Sequence, residues 1–336
     1  MARRPVGRGS RQSPRARLVQ RLAALPPATT PGFSTGIREV VESLSDPEAQ
    51  LADVLRSTRH PTDVRFAALY GWLLRLRREE RYAEYESVLR QYGHEFEQEP
   101  YVYTFHAIVA RNRGDASSLR SAVEYSRRAA ELMPDVAGVV HQLAAFLIEY
   151  LERSDSVVEA ELREAERSVD QAIALTHGQI GHYFETRARI LAIRGDFGAA
   201  RAAVNQAIEL EPRTTRDYQR RLTQYQTTRI RIELLQQRAY WRRQQEDNRR
   251  ELTDFKAQQL QLLGLLAAVV AFIATTGNLA ASARWPDSIR LIEGMAGSII
   301  IVFASFTLAS SKSVWRVLFM YLVGGVLLVV PYLVEG

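Results

Sequence analysis

The sequence predicts an all-α protein: a run of helix pairs forming an α-solenoid, then one long helix, then a C-terminal bundle of transmembrane helices. Three observations predict it. From Gly36 to Pro212 apolar residues recur at helical spacing, proline falls only near element ends, and strand-like alternation is absent. Between Pro212 and Pro286 there is no proline, and between Pro212 and Gly264 no glycine, so nothing there breaks a helix. After Lys256 charge nearly vanishes, and three apolar segments follow, Leu260 to Ala283, Ile292 to Ser310 and Val314 to Val334. Each comes close to the roughly 20 residues that cross a hydrocarbon core as a helix.

Composition narrows the function classes. The chain has no cysteine, which removes disulfides, thiolate metal sites and cysteine nucleophiles together. Its net charge of +6 comes almost wholly from arginine, since Lys256 and Lys312 are the only lysines among 44 basic residues. The 6 histidines, His60, His94, His106, His141, His177 and His182, are scattered, with no pair at the spacing that sets two metal ligands on one helical face. There is no phosphate-cradling glycine loop and no nucleophile elbow, and acid pairs such as Glu79-Glu80 read as solvated helix surface. The expectation is a binding protein with no enzyme activity, cofactor or metal.

Residues 1–35 mix arginine with proline, glycine and serine and hold no acid, so they predict a disordered basic tail. Three readings of that tail stay open: a solvated extension, weak contact with anionic lipid or nucleic acid, or an organellar transit peptide. No specific nucleic-acid site is expected. Residues 36–212 form the helical-repeat domain, with Ile37 to Thr58 as its cap and Asp46-Pro47 as a helix start.

The clearest unit runs from Gly181 to Pro212. Phe184 and Ala188 occupy its first helix, with Leu191 further along, Gly195 and Phe197 fill the turn, Ala200, Val204 and Ala207 alternate small, large and small, and Pro212 closes it. This segment resembles a tetratricopeptide repeat, a unit of about 34 residues folded as two antiparallel helices. Weaker copies precede it. Tyr101 to Pro134 carries Tyr103, Ala107, Gly114, Ala122 and Ala129; Val139 to His177 carries Leu143, Ala144, Leu147, Ala165, Val169 and Ala172; Val64 to Pro100 carries Trp72, Tyr82 and Leu89, with Tyr85 at a small-residue site. The resemblance covers residues 64–212. It implies a concave groove, lined by the first helices, that takes a protein or peptide partner. Carried onto this sequence, the groove positions are Tyr70, Arg77, Tyr101, Arg111, His141, His182, Glu185 and Arg189. The Lys/Asn pattern with which some family members clamp a C-terminal carboxylate is not present at them.

Residues 213–259 read as a stalk helix, and at 1.5 Å per residue the stretch from Thr215 to Lys256 would extend roughly 60 Å. Tyr218, Leu222, Tyr225, Ile232 and Ala239 fall near heptad spacing, interrupted by Arg229 and Gln236. Self-association through this coiled-coil-like seam, packing of its first turns on the last repeat, and an isolated stalk are all open. Residues 260–334 are expected to hold three spans. The second carries Gly294, Ser298, Ser305 and Ala309 on one face, a small-residue surface suited to close helix contact, and Thr275, Thr276 and Asn278 are the polar cluster within the first. Basic residues from Trp241 to Lys256, with Lys312 and Arg316, place the N-terminal domain in the cytosol of a cell inner or plasma membrane. The leading expectation is a membrane-anchored tetratricopeptide scaffold that binds a protein partner. The alternative is a membrane effector, of the kind used in bacterial defence, whose repeats sense a partner and whose spans oligomerise to permeabilise the bilayer.

Overall fold

The computed structural model describes residues 14–154, 157–214, 217–282, 293–301, 304 and 314–333. Among them all regular structure is helical and no strand occurs. The chain divides into two compact units, Met1–Ala239 and Tyr240–Gly336.

The first unit contains α1 (Pro14–Ala23), α2 (Pro31–Glu42), α3 (Pro47–Arg56), α4 (Thr62–Arg78), α5 (Tyr82–Tyr92), α6 (Tyr101–Arg113), α7 (Ala116–Leu132), α8 (Ala137–Arg153), α9 (Glu159–Leu175), α10 (Gly181–Arg194), α11 (Phe197–Leu210) and the first turns of α12 (Tyr218–Ser282). The expectation of a disordered tail over residues 1–35 is corrected from Pro14 onward. Leu18 and Leu22 fall on one face of α1 and pack, with Phe33 of α2, into the main core, and Leu25 just after α1 packs against it. The proline and arginine content masked that short stripe; burying several large apolar side chains at about 1.5–3 kcal/mol each offsets the ordering entropy of so short a segment.

Turn chemistry sets the helix pairing. Asp46 caps α3 by accepting from the Ala49 N–H at 3.3 Å, with Pro47 in the first turn, as the sequence predicts. Two further junctions share one device: a glycine in the left-handed region ends a helix and the following aspartate starts the next. Gly114 (φ +80°) and Gly195 (φ +84°) close α6 and α10, while Asp115 and Asp196 accept from Ser118 N–H at 2.8 Å and Ala199 N–H at 3.0 Å. Connections this short force α6 against α7 and α10 against α11 as antiparallel neighbours.

Packing then propagates along the chain. α7 meets α8, α8 pairs with α9, α9 meets α10, and alternate helices touch as well, α6 with α8 and α8 with α10. Small residues stand at these contacts: Ala107, Ala122, Ala129, Ala144, Ala165, Ala172, Ala188, Ala200 and Ala207 are wholly buried, which lets helix axes approach closely. Gly181 is tighter still, since a Cβ there would lie 2.6 Å from the Ala207 carbonyl oxygen. The first turns of α12 join this unit, because Tyr225 and Ile232 bury themselves in a cluster with Phe184, Ala188, Val204 and Ala207. Of the readings open for the stalk, its start therefore packs on the last helix pair.

The second unit holds the rest of α12, a helix over residues 293–301 (α13) and α14 (Val314–Leu333). α12 is, among the described residues, the one helix long and apolar enough to cross a membrane, by length and composition. Multiple crossings are not supported at this level, α14 contributing a shorter apolar stretch, Leu318–Val329. Where α13 and α14 cross, Gly297 and Gly324 face each other so closely that a Cβ on Gly297 would stand 2.7 Å from the Gly324 carbonyl. The small-residue face expected at Gly294 and Ser298 is not that contact: a Cβ on Gly294 would meet open space, and the Ser298 hydroxyl donates to the Gly294 carbonyl of its own helix at 3.0 Å. Ser305 and Ala309, and the side chains of Thr275, Thr276 and Asn278, lie outside the described residues.

Candidate functional site

The predicted groove residues come from four helices, α4, α6, α8 and α10, and helical spacing aligns them. Tyr70 and Arg77 are seven residues apart on α4; His182, Glu185 and Arg189 follow at three and four on α10. The structure gathers them into two neighbourhoods and leaves one apart.

In the first neighbourhood the Tyr70 and Tyr101 rings meet edge to face at 5.0 Å, with Phe33 of α2 at 5.3 Å from Tyr70 and Phe105 at 5.6 Å. His141 and His182 meet at 4.9 Å, and Tyr183 packs against both, at 4.3 Å and 4.6 Å. The His141 Nε2 lies 2.9 Å from the Thr186 hydroxyl. Burial, reinforced by the charges of Arg77, Arg189 and Arg221, pushes the His141 pKa down to about 3. His182 falls well below its usual value through burial, His141 and the charges of Arg221, Arg77 and Arg38. Both imidazoles are thus neutral at physiological pH.

The second neighbourhood is covered by the chain itself. The buried Glu185 carboxylate accepts from the Thr228 hydroxyl of α12 at 2.7 Å, and Gln224 stands 3.5 Å away. Burial raises the Glu185 pKa against the pull of Arg189 and Thr228. Arg189 grips Glu152 of α8 through two hydrogen bonds at 3.0 and 2.8 Å, and Arg231 of α12 reaches the same carboxylate at 2.7 Å. Arg221, Gln224, Thr228 and Arg231 recur at helical spacing, so α12 lays one polar stripe across this face. Glu185 and Arg189, predicted to meet a partner, are instead satisfied internally. Arg111 is the residue left apart, donating to Glu149 at 2.9 Å.

Residues missed by sequence reasoning share a cause. Arg38 and Phe33 lie in or beside the stretch read as tail and cap, and Arg221, Thr228 and Arg231 lie in the stalk, so no repeat register pointed to them. Tyr225 on the heptad seam was the available signal. α12 also touches α4, since Arg220 donates to the Arg78 carbonyl at 3.3 Å and lies 3.5 Å from Glu80. The contacts of this face thus run from α4 to α12. Compared with models of known protein families and with curated proteins, the chain matches none. Among the described residues no group of three or more His, Asp or Glu could hold a metal ion. What the face offers chemically is cationic and aromatic: guanidinium groups, neutral imidazoles and phenols.

Proposed function

We propose that this chain is a membrane-anchored scaffold of the tetratricopeptide type, its first unit an α-solenoid that recruits a protein partner on the cytosolic side and its C-terminal segment a set of transmembrane helices. The observation that carries the membrane half is the uncovered apolar surface of α12, where Leu260, Leu263, Leu266 and Val270 are each more than half exposed. α14 adds Leu318, Phe319 and Leu322 in the same condition. Such continuous apolar surface exceeds what a water-soluble monomer carries, and hydrocarbon satisfies it. Trp241 and the arginines that follow suit a headgroup boundary on the cytosolic side.

The repeat half is supported by the buried alanines at their register, the glycine-aspartate turns and the contacts between alternate helices. Aromatic rings and arginine on the inner face are the residue types that dominate recognition surfaces. Sedimentation tests the proposal. In a detergent-free lysate the full-length chain is expected to pellet with membranes, to resist high salt and alkaline carbonate, and to be released by detergent. A monodisperse full-length species in the high-speed supernatant would overturn it.

A further inference from the structure

The seam that Tyr225 and Ile232 mark on α12 is spent inside the chain, buried in the cluster with Phe184 and Val204. Over residues 240–264 the same helix has no cover: every one of them is exposed. A lone helix of that length is marginal in water unless another surface packs against it. Trp241, Leu252, Phe255, Leu262 and Leu266 each have more than half of their surface open.

Those side chains keep a second register. Trp241, Asn248, Phe255 and Leu262 stand seven residues apart, and Gln245, Leu252, Gln259 and Leu266 follow each of them by four. Alternation of four and three is the spacing that holds one helical seam against another helix. From Trp241 to Lys256 the chain carries nine charged residues, and none of them falls on this seam. Its polar positions, Gln245, Asn248 and Gln259, are uncharged amides. An amide both donates and accepts, so each is satisfied by its own counterpart on an identical helix in the same register, whereas a purely apolar surface would leave it unpaired. The flanks set the direction. Arg242, Arg249 and Lys256 border the seam on one side, and Gln244, Glu251 and Gln258 on the other. Antiparallel helices would place the cations of one against the cations of the other; parallel helices place Glu251 of one copy beside Lys256 of the second, and Gln244 beside Arg249.

We propose that this seam binds a second copy of the chain, the two α12 helices pairing parallel and in register from Trp241 to Leu266. The pairing goes beyond the scaffold reading and does not rest on it, because the stretch from Trp241 to Gln259 precedes the apolar segment and pairs in water. Sedimentation with membranes reads the anchoring, and cross-linking along the seam reads the pairing.

The test uses the full-length chain purified in detergent micelles. The protein has no cysteine of its own, so each variant carries a single thiol. Under a mild oxidant, Gln245→Cys and Leu252→Cys are expected to form disulfide-linked dimers at least tenfold faster than Arg243→Cys and Arg250→Cys on the opposite side of the helix. Light scattering of the unmodified protein should give two chains per particle. Glu251→Lys in the Gln245→Cys background should slow the cross-link severalfold, and adding Lys256→Glu to the same chain should restore it. Circular dichroism confirms that the variants fold, and Asn248→Cys and Gln259→Cys are the alternative seam positions for any that does not. Equal rates at seam and outer positions, one chain per particle, or no recovery on the second charge reversal would each overturn the parallel pairing.

Discussion

Arg189 is a buried cation, and burial alone would favour losing its proton. The carboxylates of Glu152, Glu185 and Glu149 outweigh that penalty and hold its pKa above the ordinary value. The neutral pair His141 and His182 sits on the same face with the opposite sign. Burial is the main cause of both shifts, and the charges of Arg38, Arg77, Arg189 and Arg221 add to it. For both histidines the folded pKa lies below the unfolded value near 6.5, about 3 for His141. Between those values the unfolded chain binds protons that the folded chain refuses. Stability is therefore complete above pH 6.5 and drains away as pH falls through that window. Glu185 works the other way, because its raised pKa lowers stability as pH rises through and above the usual carboxylate range. The urea midpoint of the first unit, followed in the full-length chain by circular dichroism, should thus be lower at pH 5 than at pH 7. Substituting His141→Gln together with His182→Gln should flatten that difference; an unchanged slope would show that the imidazoles are not the source.

At the scale of elements, α12 is the helix that two environments share. Its first turns behave as a further inner helix of the first unit, with Tyr225 at 0% exposure and Ile232 at 1%, while Thr228 and Arg231 reach Glu185 and Glu152. Truncating a fully buried aromatic removes its transfer energy and leaves a cavity, about 3–5 kcal/mol in typical cores. Tyr225→Ala also strips Glu211 of its hydroxyl donor. This variant should release the start of α12, seen as new protease cleavage between residues 217 and 239 and an unfolding free energy lower by about that amount. The exposed Ile230→Ala, at 58% exposure, should leave both measurements near wild type. The heptad-like spacing of Tyr225 and Ile232 was legible in the sequence, but it did not say whether the seam faced a second copy of the chain or the chain's own last helix pair. Two seam positions that hit the Phe184 and Val204 cluster decided it, because the intramolecular contact needs no association entropy.

At the scale of the whole molecule, the buried clusters from α1 through the start of α12 are built without residues beyond Ala239. A chain truncated after Ala239 is expected to stay in the supernatant and to unfold cooperatively on heating, whereas the full-length chain pellets. Aggregation of that fragment would show that the first unit needs the second. The all-helical class, the Asp46-Pro47 start, the helix-ending Gly195 and the long helix after Pro212 were all readable from the chain, because each depends on local backbone preference or on 3.6-residue periodicity. The spacing of buried alanines was readable for the same reason. The fate of residues 14–35 was not, since a two-turn apolar stripe among arginines and prolines is worth burying only against a core that other helices supply. Nor was the small-residue crossing in the second unit, where Gly297 rather than Gly294 meets the neighbouring helix; helix rotation is set by the partner. The inner face shows the division most sharply. Helical spacing aligned Tyr70 with Arg77 and His182 with Glu185, but which groups were already satisfied depended on α12 folding back onto α8 and α10. Hydrogen-bond satisfaction is a property of distance in space, and only the tertiary structure brings Thr228 and Arg231 of α12 to the Glu185 and Glu152 carboxylates.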